Sequence, residues 1–327
     1  MEAPLLYQPL PVSMAGILTL AEHQQLYEVV SVAVQSDLFA ALAEPKSAVE
    51  LAREKHWETY ATECLLDVLF FAGLVQNIDG FYSATAAAAT YLHPNSLWRL
   101  NHLFENQERP GSLAWQLRQC LAADFQSRGR HEPDWNAERL RQIGVMGLNG
   151  SLQATVASVD LAGVSSLLDL GGGHGFYSIA LAQKYPELRV TLFDLPPAAS
   201  LARELVDRFG LADRITCVAG NFLTDDIGTG YDAVLCANIL HGDKRDTVLP
   251  KVFAALRPGG QLIVKCRVAD GVGSLQSALA RLVWLTRGGK EMLRQAEWLA
   301  FLAQHGFRSL RTVNVWGIFA TITGLRP

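Results

Sequence analysis

The sequence predicts an α/β fold: a doubly wound, Rossmann-like sheet, preceded by a mainly helical, winged-helix-like domain. Three observations predict it. From Ser165 onward, strand-like and helix-like segments alternate. A glycine run, LLDLGGGHGFYS, stands between the first such strand and the first such helix. Ahead of them, the early chain reads as helices followed by a small hairpin.

The bulk composition agrees. The 327 residues suit two domains, and half of them are hydrophobic against 18% charged, ample for a packed core. The net charge is −4 and the pI about 6.1, with no basic run, so no nucleic-acid surface is expected. No apolar stretch approaches the roughly 18 residues of a membrane helix. The N-terminal MEAPLLYQPLPVSMAG lacks the basic start of a signal peptide. The expectation is a cytoplasmic protein with no membrane partner. The five cysteines (Cys64, Cys120, Cys217, Cys236, Cys266) are widely spaced without a CxxC, and read as reduced core thiols.

Along residues 16–43 apolar side chains recur at helical spacing, from Leu18 to Leu42, and Pro45 closes the segment. SAVELAREK and YATECLLDVLFFAGLV are further helices, the second ending near Gly73. NIDG is a turn and FYSAT a β-prone piece. This is the order of a winged helix, a fold that often binds DNA. A recognition helix needs basic or amide side chains for phosphates and base edges. The helix here carries only Glu63 and Asp67 as charges from Glu63 to Gln76, so it is expected to be buried, against a second subunit. Domains are placed at 1–100 (dimerisation), 101–163 (a helical bridge contributing to a substrate pocket) and 164–327 (cofactor binding and catalysis).

In the last region SSLLDL, RVTLFDL, RITCVAG, YDAVLCANIL and QLIVKCRV are strands. FYSIALAQKY, LARELVDRFG, TVLPKVFAAL and WLAFLAQHGF are helices, and two closing strands lie in SLRTVNVWGIFATITGLR. Such alternation builds a parallel sheet covered on both faces, with ligands at the carboxyl ends of its strands.

The strongest motif is the glycine run. Asp169, Gly171, Gly173 and Gly175 stand at alternate positions between strand and helix, where glycine permits a tight turn and close approach of a ligand. A dinucleotide fingerprint would need a glycine at the place of Phe176, and no GK[ST] of a phosphate loop is present. The DxGxGxG form suits S-adenosylmethionine, whose amino-acid end has an ammonium and a carboxylate but no phosphate.

Two more elements follow in order. Asp194 ends the next strand, 23 residues after Gly171, and a carboxylate there can accept both ribose hydroxyls, with Leu195 beside it. Gly220, Asn221 and Phe222 follow the third strand, where Phe222 can pack on an adenine face and Asn221 can bond its edge. Directly after the fourth strand comes His241. An unperturbed imidazole titrates near neutrality, and one placed here can remove a hydroxyl proton while the nucleophile attacks a sulfonium methyl. Glu291, in RGGKEMLRQ, is the candidate to orient it, or simply opens a helix.

With these motifs the chain resembles the S-adenosylmethionine-dependent O-methyltransferases of the caffeic acid and hydroxyindole type, which include many bacterial members in antibiotic and pigment pathways. The resemblance runs from about Leu26 to the C-terminus and includes DLGGGHG, FDLP, GNF, NILH, RPGG and GGKE. It implies a homodimer whose N-terminal domains interlock and help close each other's pockets. It also implies His241 as proton acceptor flanked by Glu291, and S-adenosylmethionine on Gly171–Gly175, Asp194 and Gly220 to Phe222. Met146, Asn238, Leu282 and Thr286 would line the pocket of a small-molecule acceptor.

The chain departs from the family at several points. The usual His-Asp-Trp is His241-Gly242-Asp243 here, and the segment from His241 to RPGG is shortened. Cys266 stands where an acid is frequent, Asn221 where an aspartate contacts the cofactor, and Ala237 where plant members have a lysine. The cofactor loop is intact while the base machinery is thinner, which favours a phenolic or enolic hydroxyl over a less acidic alcohol. C-, N- or S-methylation on the same fold is the alternative. A cofactor-binding relative that transfers no methyl group, decarboxylase-like, hydroxylase-like or regulatory, is the second. No third ligand accompanies His241 and Asp243, so no metal is expected.

Overall fold

The computed structural model describes residues 5–9, 13–104, 109–122, 136–242, 244–289 and 292–327. The described residues form two compact units. Those of 1–14, 132–271 and 292–327 make an α/β unit, and those of 15–131 and 272–291 a helical unit. The helices of the segment read as a bridge are thus divided between the two.

The helical unit contains, numbered along the whole chain, α1 (Ala15–Gln35), α2 (Leu38–Ala41), β1 (Lys46–Ser47), α3 (Ala48–Lys55), α4 (Thr59–Phe71), β2 (Val75–Ile78), β3 (Phe81–Ala84), α5 (Ala86–Tyr91), α6 (Leu113–Leu121) and α12 (Leu275–Thr286). The continuous helical pattern over 16–43 is interrupted at Asp37, whose left-handed φ of 52° ends one helix and opens the next. Helix α3 begins at a capping box in which Ser47 Oγ accepts the Glu50 N–H and Glu50 accepts the Ser47 N–H. The strands pair antiparallel in the order β1-β3-β2, which completes the winged-helix-like arrangement.

Much of the apolar character of α4 is accounted for within its own unit. Leu65, Leu66, Val68 and Leu69 are fully buried in the unit's own core with residues of α1 and α12. Its acid, Asp67, is answered within the unit by an ion pair to Arg281 of α12, a helix the sequence pattern did not single out.

The α/β unit contains α7 (Ala137–Gly147), α8 (Ser151–Ser158), β4 (Ser166–Leu170), α9 (Phe176–Lys184), β5 (Arg189–Asp194), α10 (Pro196–Arg208), β6 (Ile215–Ala219), β7 (Tyr231–Ala237), α11 (Lys244–Ala255), β8 (Leu256–Arg267), α13 (Gln295–Gln304), β9 (Arg308–Trp316) and β10 (Phe319–Leu325). The sheet order is β6-β5-β4-β7-β8-β10-β9. Five strands run parallel, as expected, but β10 pairs antiparallel with both β8 and β9. The turn between β9 and β10 is too short for the crossover that a parallel pair requires.

Successive residues of the central strands enter opposite cores. Leu167, Leu235 and Ile263 pack beneath α8, α9 and α10, whereas Leu168, Cys236, Leu262 and Val264 pack beneath α11 and α13. Burial on both faces is why these strands read as continuous apolar runs. The reversal of strand order between β4 and β7 leaves a crevice at their carboxyl ends.

Candidate cofactor and catalytic site

Strand β4 delivers its chain into the glycine turn. Gly171, Gly173 and Gly175 have φ of 70°, 56° and 78°. At Gly171 glycine is required twice over, because a Cβ would also lie 2.5 Å from Ile239 Cγ2. Gly173 differs: a Cβ there would meet nothing closer than Leu140 Cδ2 at 3.9 Å, so this face of the turn is open.

The turn's amides are directed inward. The N–H of Gly171 donates to the Phe193 carbonyl, that of Gly173 to Asp194 Oδ2 and that of Gly175 to the Gly172 carbonyl. These three glycines therefore present no N–H to an anion, which separates this turn from a phosphate cradle.

Both oxygens of Asp194 are anchored. Oδ2 accepts the Gly173 N–H and Oδ1 accepts the Leu195 N–H, each at 2.7 Å. The carboxylate is thereby fixed at the tip of β5 against the glycine turn, with lone pairs left to accept ligand hydroxyls. Burial raises its pKa despite the two amide donors. Behind the turn, Asp169 is fully buried. Its Oδ2 accepts the Ser178 hydroxyl at 2.6 Å, and its Oδ1 has no partner. Desolvation pushes its pKa up to about 7, with the neighbouring charge of Asp194 adding to the rise and the Ser178 bond opposing it.

At the end of β6, Gly220 is held close: a Cβ would sit 2.4 Å from Phe193 Cζ. Asn221 is largely committed to its own turn, its Oδ1 accepting the Leu223 N–H and its N–H donating to Asp225 Oδ2. The carbonyls of Phe222 and Asp225 are bound by Lys251 Nζ. The half-buried Phe222 ring stands beside Gly171, its Cε1 3.5 Å from where that residue's Cβ would be.

Strand β7 ends at Ala237, earlier than the sequence suggested, because Asn238 adopts a φ of 59°. Its N–H donates to the Lys265 carbonyl, and its buried Oδ1 has no hydrogen bond. The chain then runs through Ile239, against Gly171, to the half-buried His241, whose Nδ1 is enclosed. Glu291 and Asp243 lie outside the described residues.

Of the other expected pocket residues, Met146 is exposed on α7. Leu282 and Thr286 belong to the helical unit, where Leu282 is fully buried in the core and the Thr286 hydroxyl bonds the Val283 carbonyl. Among the described residues no group of three His, Cys, Asp or Glu side chains is placed to hold a metal.

Sequence reasoning passed over Lys265, Tyr177 and Ser178. The first two bond each other beside the turn, and Ser178 is the partner of Asp169. Lys265 had a visible signal, since it is a lone charge in LIVKC, a strand otherwise apolar on both faces.

A doubly wound sheet, a glycine turn with inward amides, an anchored acid on the next strand and an orphaned acid behind the turn define a Rossmann-like, S-adenosylmethionine-dependent methyltransferase. Residues 145–308 match the model of the O-methyltransferase domain, and residues 18–94 that of the O-methyltransferase dimerisation domain. The chain belongs to this O-methyltransferase family.

It is 28% identical over 305 residues to 3-hydroxy-5-methyl-1-naphthoate 3-O-methyltransferase of Streptomyces sahachiroi, covering 88% of this chain and 87% of that one. Its fold is shared with an O-methyltransferase family 2 protein of Planctomyces limnophilus solved with apigenin, at a TM-score of 0.74 and 22% identity over the whole of both chains. It is shared also with human N-acetylserotonin methyltransferase in complex with S-adenosylmethionine, at a TM-score of 0.55 and 22% identity over 98% of this chain and 99% of that one.

Proposed function

We propose that the protein methylates a phenolic or enolic hydroxyl of a small secondary metabolite, with His241 as general base. The observation that carries this reading is the packing of Ile239, two residues before His241, directly on Gly171 of the cofactor turn. It sets the histidine segment beside the place where the cofactor is expected. The naphthoate O-methyltransferase among its relatives, an enzyme named for a hydroxyaromatic acceptor, supports the acceptor class.

S-adenosylmethionine supplies an electrophilic methyl group on a sulfonium. Asp194, fixed by two backbone amides, accepts the ribose hydroxyls. Phe222 covers the adenine, and the open face of Gly173 receives the amino-acid end. His241 takes the acceptor's proton as the oxygen attacks the methyl carbon. Holding the two reactants in line supplies much of the rate. Met146 and Asn238 are proposed to shape the acceptor pocket, and Glu291 to orient His241.

The protein works as a homodimer in the cytoplasm. The dimerisation-domain match supports the first statement, together with large apolar side chains exposed on the helical unit, among them Ile17, Leu20, Ile78 and Phe81. Five free thiols support the second.

The test is turnover with a panel of hydroxylated naphthoates and flavonoids, read by mass spectrometry of the product. An O-methyl product with equimolar S-adenosylhomocysteine is expected. Methyl transfer to carbon or nitrogen alone would overturn the acceptor class, and binding without turnover on any member of the panel would overturn the activity.

A further inference from the structure

Lys265 is a buried amine with no carboxylate among its hydrogen-bond partners in the described residues. It lies near the carboxyl end of β8, on the face shared with Ile263, and is 3% exposed. Its Nζ donates to the Ser151 carbonyl at 3.3 Å and bonds the Ser151 hydroxyl and, at 2.6 Å, the Tyr177 hydroxyl. The Phe319 and Tyr177 rings lie 4.9 Å and 5.3 Å from it. No carboxylate is among these partners. An uncompensated charge in such a place is costly, so the amine's protonation responds to any nearby change of charge.

The groups that face it from each packed element are few. Helix α8 offers the neutral Ser151, α9 the Tyr177 phenol, and β10 the Phe319 ring. Its own strand offers only Arg267, a second cation, which lies over the same Phe319 ring. The glycine turn contributes His174, which burial and the Lys265 charge hold down to about 4 and hence neutral. Strand β4 contributes Asp169, behind Tyr177. Burial, and then Arg267, bring the Lys265 amine down to about 7.

Lys265 is also close to the cofactor turn. It pairs in register with Ala237, and the preceding Cys236 pairs with Leu170, the last residue of β4 before Gly171. Two strand spacings, roughly 10 Å, separate its backbone from that turn.

We propose that Lys265 sets the preference of the cofactor site between the cationic S-adenosylmethionine and its uncharged-sulfur product, S-adenosylhomocysteine, its ammonium form opposing the sulfonium and its neutral form admitting it. This rests on the cofactor-site reading given above. Methyl transfer removes one positive charge from the site, so the ammonium weakens cofactor binding relative to product binding. Two unit charges roughly 10 Å apart at an effective dielectric constant near 20 change a binding equilibrium by about tenfold. Lys265 is a positioning residue in this scheme: it touches Tyr177 and Ser151 and acts on the ligand through space.

The experiment is titration calorimetry of the full chain with each nucleoside between about pH 6 and about pH 8.5, on wild type, Lys265→Met and Lys265→Arg. In wild type, the affinity for S-adenosylmethionine relative to S-adenosylhomocysteine is expected to rise about tenfold across this range. Relative to wild type, Lys265→Met should raise the ratio at about pH 6 and Lys265→Arg should lower it at about pH 8.5; Asp169, which burial also brings to about 7, titrates in all three proteins and drops out of this comparison. A ratio independent of pH in wild type overturns the proposal, whether or not the variants fold. So does a pH dependence that persists unchanged in either variant. Failure of both nucleosides to bind at any pH would instead sink the cofactor site itself, and this inference with it.

Discussion

Asp194 Oδ2 accepts the backbone N–H of Gly173 at 2.7 Å, tying the end of one strand to the turn that follows its neighbour. The bond does two things at once. It positions the carboxylate proposed to meet the ribose, and it holds the turn in the shape proposed to receive the amino-acid end.

Asp194→Ala is therefore expected to weaken S-adenosylmethionine binding by about 10- to 100-fold, the range for losing a charged hydrogen-bonding group. Asp194→Asn should keep one backbone acceptor and lose less. Calorimetry that found Asp194→Ala unchanged in affinity would remove this residue from the site.

The glycine turn gives a paired prediction. Gly171→Ala and Gly173→Ala both place a Cβ on a left-handed residue, which costs about 1–2 kcal/mol each. Only the first also drives that Cβ into Ile239. Gly171→Ala should thus show the larger fall in melting temperature. Gly173→Ala should stay folded but bind S-adenosylmethionine poorly, because its methyl fills the open face. A Gly173→Ala protein with wild-type affinity would show that the ligand does not use that face.

Much of the turn's geometry was legible in the sequence, for identifiable reasons. Gly171, Gly173, Gly175 and Asp194 could be read because backbone geometry restricts residue choice at a tight turn, and the turn sits at a fixed place between strand and helix. His241 could be located because the apolar run before it marks the end of a central strand. What escaped depends on partners distant in sequence. Arg281 answers Asp67 from more than two hundred positions away, and α12 gave no boundary signal comparable to the glycine turn. Lys265 was overlooked because a lone lysine in a strand reads as a register accident until Ser151 and Tyr177 are seen to enclose it. The antiparallel end of the sheet was missed because alternation of elements says nothing about a hairpin appended after the last helix.

Asp169 predicts a pH dependence of stability. In the unfolded chain its carboxyl ionises near 3.8, and in the fold it keeps its proton up to about 7. Between those values the folded state binds more protons, so this group's contribution to stability falls as pH rises through the window and levels off above it. Asp169→Asn retains an acceptor for Ser178 and cannot ionise. The ligand-free variant should lose most of the fall in melting temperature between about pH 4 and about pH 7. Parallel melting curves for variant and wild type across that range would show that Asp169 is ionised at no cost.

The thiols offer a check on the two cores. Cys64, Cys120, Cys236 and Cys266 are buried, and desolvation pushes Cys64 up to about 12 and Cys120 up to about 11. Cys217 is only half-buried. Since the thiolate is the reactive form, an aromatic disulfide reagent at about pH 8 should titrate at most one thiol in the native protein and all five after denaturation. Rapid reaction of two or more native thiols would contradict this burial.

The proposed role of His241 predicts that its replacement separates binding from turnover. With the glycine turn, Asp194 and Phe222 proposed to hold the cofactor, His241→Ala should leave S-adenosylmethionine affinity within about twofold, since no charged contact to the nucleoside is lost. The acceptor's proton then has no base, and kcat should fall by about 10²- to 10⁴-fold, the usual worth of a positioned general base. The loss should shrink as the acceptor becomes more acidic, because a phenol already ionised in solution needs no base. A series of phenols of graded pKa, assayed at one pH with both proteins, reads this directly. If the ratio of wild-type to variant rates stays constant along the series, His241 positions the acceptor without taking its proton.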